Sequence, residues 1–127
     1  MGLPLGSWRI IGTCKGSDEE SVAALGLLLH IEPQSMVWFD GVKRFSARYE
    51  VIDTSHVIVR SISYNLSGST DVVDYARRSA ARVVGSVLTG GGPIGAVSEG
   101  ERWRLMQGDS SLLLAREDHK GWPEWAR

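Results

Sequence analysis

The chain has 127 residues, and 14 Lys and Arg against 15 Asp and Glu leave a formal net charge of −1. That length holds one domain with one hydrophobic core, and the near-neutral balance gives no global attraction to nucleic acid or an acidic membrane surface. The single cysteine, Cys14, excludes an internal disulfide and any multi-cysteine metal site.

Residues 1–127 read as a single domain without repeats or a dividing linker, and 118–127 read as a C-terminal tail. The start Met1-Gly2-Leu3-Pro4-Leu5-Gly6 has neither a basic region nor a sustained apolar stretch. No apolar run approaches the ~20 residues of a spanning helix. The expectation is a cytoplasmic protein, or a secreted or envelope one whose leader has been removed.

Gly6 to Cys14 alternates as a strand, with Trp8 and Ile10 on one face and Ser7, Arg9 and Thr13 on the other. Ser17-Asp18-Glu19-Glu20 has the form of a capping box and predicts a short helix to about Leu25, stopped by Gly26. Leu27 to Glu32 reads as a strand ended by Pro33. Met36 to Asp40 and Val42 to Ile52 read as a hairpin turned at Asp40-Gly41. On its second arm Phe45, Ala47, Tyr49 and Val51 share a face. His56 to Leu66 predicts a further strand, with Ile58, Arg60, Ile62 and Tyr64 on one face and Val57 and Val59 on the other.

The period then becomes helical. Val73, Ala76, Ala80, Val83, Val84 and Val87 form a stripe that Ser69 or Thr70 would cap and Thr89-Gly90-Gly91-Gly92-Pro93 would end. Arg102 to Met106 and Leu112 to Glu117 read as a closing hairpin, with Trp103 and Leu105 toward the core.

Short connections make consecutive strands antiparallel neighbours. The order predicts a mainly β protein: an antiparallel meander barrel of about seven or eight strands, a short helix after the first strand and one long helix before the final hairpin. Closure removes the exposed edges of such a sheet.

Gly6-Ser7-Trp8 on the first strand and Arg116 on the last resemble the signature of the lipocalins and their calycin relatives. The run Leu5 to Ile11 followed by a short helix and an apolar strand is similar to small bacterial lipocalin-like domains. The resemblance implies that Trp8 packs at the closed end of the barrel with Arg116 across its ring. A cation over an indole face contributes about 0.5–2 kcal/mol and here would tie first strand to last. The helix before the final hairpin also resembles the META domain, although that family's Thr-x-Met-x-Cys and Cys-Asn residues are not present.

By this resemblance the barrel holds a small apolar or amphipathic ligand. The candidate wall residues are Trp38, Phe45, Tyr49, Ile58, Ile62 and Tyr64, with Arg60 as a polar anchor if it points inward. The other reading of Arg60 is an outward side chain lying over apolar neighbours. The alternative function is a structural or interaction protein whose barrel is filled by side chains, five Trp among them.

No metal site or cofactor is expected, because His30, His56 and His119 share no ligand spacing. No Gly-x-Ser-x-Gly elbow marks a nucleophile, and the glycine run at 90–92 follows a helix instead of opening one. An enzyme is therefore the weaker reading. The partners expected are a small ligand and no nucleic acid, with no transmembrane segment. Self-association would use the basic helix face of Arg77, Arg78 and Arg82, or the tail residues Trp122 and Trp125.

Overall fold

The computed structural model describes residues 3–41, 43–65 and 75–117. Among the described residues nine strands form one sheet: β1 (Gly6–Lys15), β2 (Asp18–Ser21), β3 (Leu28–Ile31), β4 (Ser35–Phe39), β5 (Arg44–Val51), β6 (His56–Asn65), β7 (Ile94–Glu99), β8 (Arg102–Gln107) and β9 (Ser110–Arg116). Neighbours pair antiparallel in sequence order, except that β1 lies beside both β3 and β9. The β1–β9 pairing closes an eight-stranded barrel, and β2 folds back on the far half of β1 as an added arm. No helix among the described residues is long and apolar enough to cross a membrane.

Two segments differ from the sequence expectation. Asp18 to Ser21 is strand β2, not helix, and only Ala23–Leu25 forms a 3-10 turn, ended by Gly26 in the left-handed region. Gly16, at φ +60°, turns the chain so that Asp18 to Ser21 pair with Lys15 to Gly12. The ladder of an adjacent strand outweighs a local cap. Strand β7 was not anticipated, because Val97, Ser98 and Glu99 are all exposed and leave no alternation to read.

Two β-bulges reset which side chains face inward. Ile10 pairs with Leu114 but Gly12 with Leu113, so Ile11 is the extra residue. Thr13 therefore turns inward opposite Leu112 and is buried, contrary to strict alternation. On β6, Arg48 pairs with Ser61 but Tyr49 with Val59, which leaves Arg60 as the extra residue. Val57, Val59, Ile62 and Tyr64 consequently share the face of Phe45, Ala47 and Tyr49, while Ile58 lies opposite Glu50 on the outer face.

Helix α1 (Tyr75–Leu88) packs on β9, β1 and β8 through Ala80, Val84, Val87 and Leu88. Of the expected stripe, Ala76 is exposed and Val83 half-buried, while Val73 and the caps Ser69 and Thr70 lie outside the described residues. Gln107 fixes the helix end: its Nε2 donates to the Val87 carbonyl at 2.7 Å, and its Oε1 accepts from Gly92 N–H at 2.7 Å. The glycine run serves this contact, since a Cβ at Gly90 would lie 2.5 Å from the Ser86 carbonyl oxygen and 2.6 Å from Oε1 of Gln107. The helix thus sits at the barrel end marked by Gln107 and Ser110, opposite the end marked by Gly6 and Arg116. At the other end of the helix, Arg77 Nη1 donates to the Leu25 carbonyl at 3.0 Å.

Candidate functional site at the barrel rim

One row of inward residues crosses six strands in register. Arg116 pairs with Trp8, Trp8 with Leu29, Leu29 with Trp38, Trp38 with Phe45, and Phe45 with Tyr64. The Arg116 guanidinium carbon lies 4.0 Å from the Trp8 ring centroid. The Trp38 and Phe45 rings stack at 5.1 Å and 8°, and Tyr64 tilts against Phe45 at 5.8 Å. Lys43 Nζ lies 4.8 Å from the Tyr64 centroid, so the aromatic row carries a cation at each end. Burial falls along it, from Trp8 and Trp38 at 1% exposure to Tyr64 at 58%.

The centre of the barrel is filled. Trp8, Ile10, Leu29, Trp38, Leu105, Leu112 and Leu114 are essentially inaccessible and pack with Val84, Val87 and Leu88 of the helix. Among the wall residues expected from sequence, Trp38 and Phe45 are part of this packing. Tyr49 is buried near the rim, and its O–H donates to the Glu32 carbonyl. Burial pushes its phenol pKa upward, because the phenolate would be poorly solvated there. Ile62 and Tyr64 are on the inner face but exposed, at the end of β6 that β7 does not reach. Ile58 and Arg60 are on the outer surface, where Arg60 Nε donates to Glu50 at 3.1 Å. The structure brings together Trp38, Phe45 and Tyr64, and separates Ile58 and Arg60 from them.

The closure residues meet at the rim. Gly6 has φ +113°, and Arg116 Nη1 donates to the Leu5 carbonyl at 3.1 Å. Trp8 Nε1 donates to the Pro4 carbonyl at 3.0 Å, which draws the segment before β1 across the barrel end. Next to this contact is an open cleft of about 480 Å³, lined by Leu3, Pro4, Leu5, Pro33, Tyr49, Val51, Trp103 and Arg116. Leu5 and Val51 are half-exposed, and Arg116 has no carboxylate partner among the described residues. The cleft is therefore an apolar surface with one cation on its wall. Sequence reasoning missed it, apart from Tyr49 and Arg116. Leu3, Leu5 and Pro33 belong to segments without periodicity, and only the Trp8–Pro4 hydrogen bond shows that the first of them covers the rim.

His30 and His56 are held in local polar contacts. Ser7 Oγ and His30 Nδ1 lie 2.8 Å apart, and His30 Nε2 is 3.4 Å from Glu32. His56 bonds Asp53 at 3.0 Å in the β5–β6 turn. Asp53 is held below the usual carboxylate range, first by the Ser55 backbone N–H and then by His56. Among the described residues no three His, Cys, Asp or Glu side chains form a metal-sized cluster. His119, Trp122 and Trp125 lie outside the described residues.

Neither a family model nor a curated protein sequence matches the chain. Solved structures do. A lipocalin-like protein from Bacteroides uniformis superposes with a TM-score of 0.54 at 12% identity, covering 89% of this chain and 97% of that one. An uncharacterized protein from Bacteroides eggerthii superposes with a TM-score of 0.53 at 10% identity, covering 89% and 98%. At these identities the likeness concerns the fold, and the same fold carries unrelated activities. Closure by β1 and β9, the Trp8–Arg116 contact and these superpositions agree: the chain has the lipocalin-like β-barrel fold.

Proposed function

We propose that this barrel is a small-molecule binding protein whose ligand is amphipathic, with an acidic group, and sits in the rim cleft and not at the barrel centre. The observation that carries the reading is the apolar cleft of about 480 Å³ with the Arg116 guanidinium on its wall. That volume falls within the range of about 300–1,000 Å³ common to small-ligand sites. Leu5, Val51 and Trp103 would contact the apolar body, and the outer face of Arg116 would pair with the acid. Of the residues expected from sequence, Tyr49 remains a wall residue, while Trp38 and Phe45 belong to the packed interior.

Titration with dodecanoate and dodecanol tests this, followed by tryptophan fluorescence and calorimetry. Dodecanoate is expected to bind saturably and more tightly than the alcohol. Val51→Glu is expected to weaken it about tenfold or more while the melting temperature holds, since Val51 is half-exposed. Absence of saturable binding, or equal binding by the variant, overturns the proposal.

The filled interior supports the second reading, a structural or interaction barrel without ligand. It makes the opposite prediction in the same titration. Self-association through the basic helix is part of that reading. Arg78 and Arg82 are exposed on α1, and their replacement by Glu would change the mass measured by light scattering.

A further inference from the structure

The outer face of β4, β5 and β6, which meets the rim at Pro33, Tyr49 and Val51, carries an arrangement around Arg48 that does not line the rim cleft. The cross-strand row Ser35–Arg48–Ser61 sets a hydroxyl on each side of Arg48. Direct cross-strand neighbours have Cβ atoms about 4.5–5.5 Å apart, so the two hydroxyls border the Arg48 side chain on either side. In the next row the Ser46 and Ser63 hydroxyls bond each other at 2.8 Å, which leaves lone pairs and a donor turned outward. Three clefts, of about 320, 630 and 270 Å³, open on this face, and Arg48 lines all three.

Arg48 is exposed and has no carboxylate partner among the described residues. Two acids line the same clefts, and each has another side chain beside it. Glu50, two residues along the same strand face, is held by Arg60 at 3.1 Å. Glu32 is 3.4 Å from His30 Nε2. The bulge that leaves Arg60 unpaired in the ladder is what frees its side chain to hold Glu50.

We propose that this face binds the phosphate or sulfate ester of a polar, hydroxylated molecule, with the oxyanion on Arg48 between Ser35 and Ser61. The donors lie along one cross-strand row, and a phosphate or sulfate head, with three free oxygens, can share them between the guanidinium and a flanking hydroxyl where a carboxylate has only two. The polar surroundings, Gln34, Ser46 and Ser63, suit a hydroxylated body over an acyl chain. Arg60 is a positioning residue: it keeps Glu50 from neutralising Arg48. The cleft of about 630 Å³ shares Pro33, Tyr49 and Val51 with the rim cleft, so ligand and variant tell the two sites apart: Arg48→Gln is expected to leave dodecanoate binding unchanged, because Arg48 does not line the rim cleft.

Calorimetric and amide-shift titrations with glucose 6-phosphate, glucose 6-sulfate, inorganic phosphate and glucose test the proposal. One or both esters are expected to bind more tightly than inorganic phosphate, with amide shifts at Ser35, Arg48 and Ser61, and glucose is expected not to bind. Arg48→Gln weakens the ester about tenfold or more, the loss of one charge-assisted contact set. Arg60→Gln also weakens it, by releasing Glu50, and Arg60→Gln with Glu50→Gln restores it. A merely structural role for Arg60 would not give that restoration. Equal binding of inorganic phosphate and the esters, unchanged affinity in Arg48→Gln, or failure of the double variant to recover overturns the proposal.

Discussion

A Cβ built on Gly6 would lie 2.3 Å from Nη1 of Arg116, the side chain whose guanidinium carbon lies 4.0 Å over the Trp8 ring. The flexible tip of Arg116 could move aside for a Cβ, so it is the backbone at Gly6 that most requires glycine in this Gly-x-Trp pairing. Glycine at the first position clears the space that the arginine occupies, and its φ of +113° is one that side-chain-bearing residues rarely adopt.

Gly6→Ala is expected to destabilise the fold by about 1–3 kcal/mol, from backbone strain and displacement of Arg116. Arg116→Gln should cost about 0.5–2 kcal/mol, the range of a partly desolvated cation–π contact. Urea denaturation followed by tryptophan fluorescence measures both. Losses that simply add would show that the glycine and the arginine act independently, contrary to the contact.

Deletions read out the β6 bulge. Removing Arg60 leaves Val59, Ile62 and Tyr64 on the inner face of a regularly alternating strand, because the extra residue is the one removed. Removing Ser63 shifts the register by one and sends either Tyr64 or Ile62 to the outer face. The Arg60 deletion should therefore fold with the smaller loss, and the Ser63 deletion should melt at a clearly lower temperature by circular dichroism. Equal melting temperatures would contradict the register.

Gln107→Leu removes two hydrogen bonds at once and strands the Val87 carbonyl and the Gly92 N–H. A loss of about 1–3 kcal/mol is expected, together with faster hydrogen exchange at Gly92. Unchanged exchange at that amide would remove the role assigned to the glutamine.

Tyr49 sets an alkaline dependence. Burial raises its folded-state pKa above the ordinary 10.0, so the unfolded chain releases the proton first as pH rises. The stability linked to this group is intact below about pH 10 and is lost as pH climbs through the folded-state value. Tyr49→Phe should flatten the fall in stability between about pH 9 and 11, measured by denaturant midpoint. An identical slope in both proteins would refute the assignment.

Legibility in the sequence followed how local each signal was. The hairpin is marked by Asp40-Gly41, and its turn closes between Asp40 and Lys43, where Asp40 Oδ1 accepts from Lys43 N–H at 2.8 Å. The inward set Leu27, Leu29 and Ile31 follows from period-two alternation, and all three are buried. Alternation failed at Ile11 and Arg60 because a bulge leaves no compositional mark. Each one reverses every assignment beyond it, which misplaced Thr13 and put Ile58 with the wrong neighbours. Strand β2 was hidden because Asp18-Glu19-Glu20-Ser21 has no buried side. The rim cleft was largely illegible for another reason: Leu5, Pro33, Val51 and Trp103 come from four separate segments, and only the closed sheet makes them neighbours.

The pairing of β1 with β9 also bears on how the chain is made. Arg9 and Glu117, which form a two-pronged ion pair at 2.8 and 3.2 Å, are 108 residues apart. During synthesis β1 emerges first and has β2 and β3 as early partners, but its other edge stays open until β9 has left the ribosome. Every growing chain thus passes through a stage in which a finished meander carries an unsatisfied edge along β1. Loop-closure entropy makes so distant a pairing slow, and an open edge is a template for other chains. The bulge at Ile11 interrupts this open edge and shortens the flat stretch that such chains could copy.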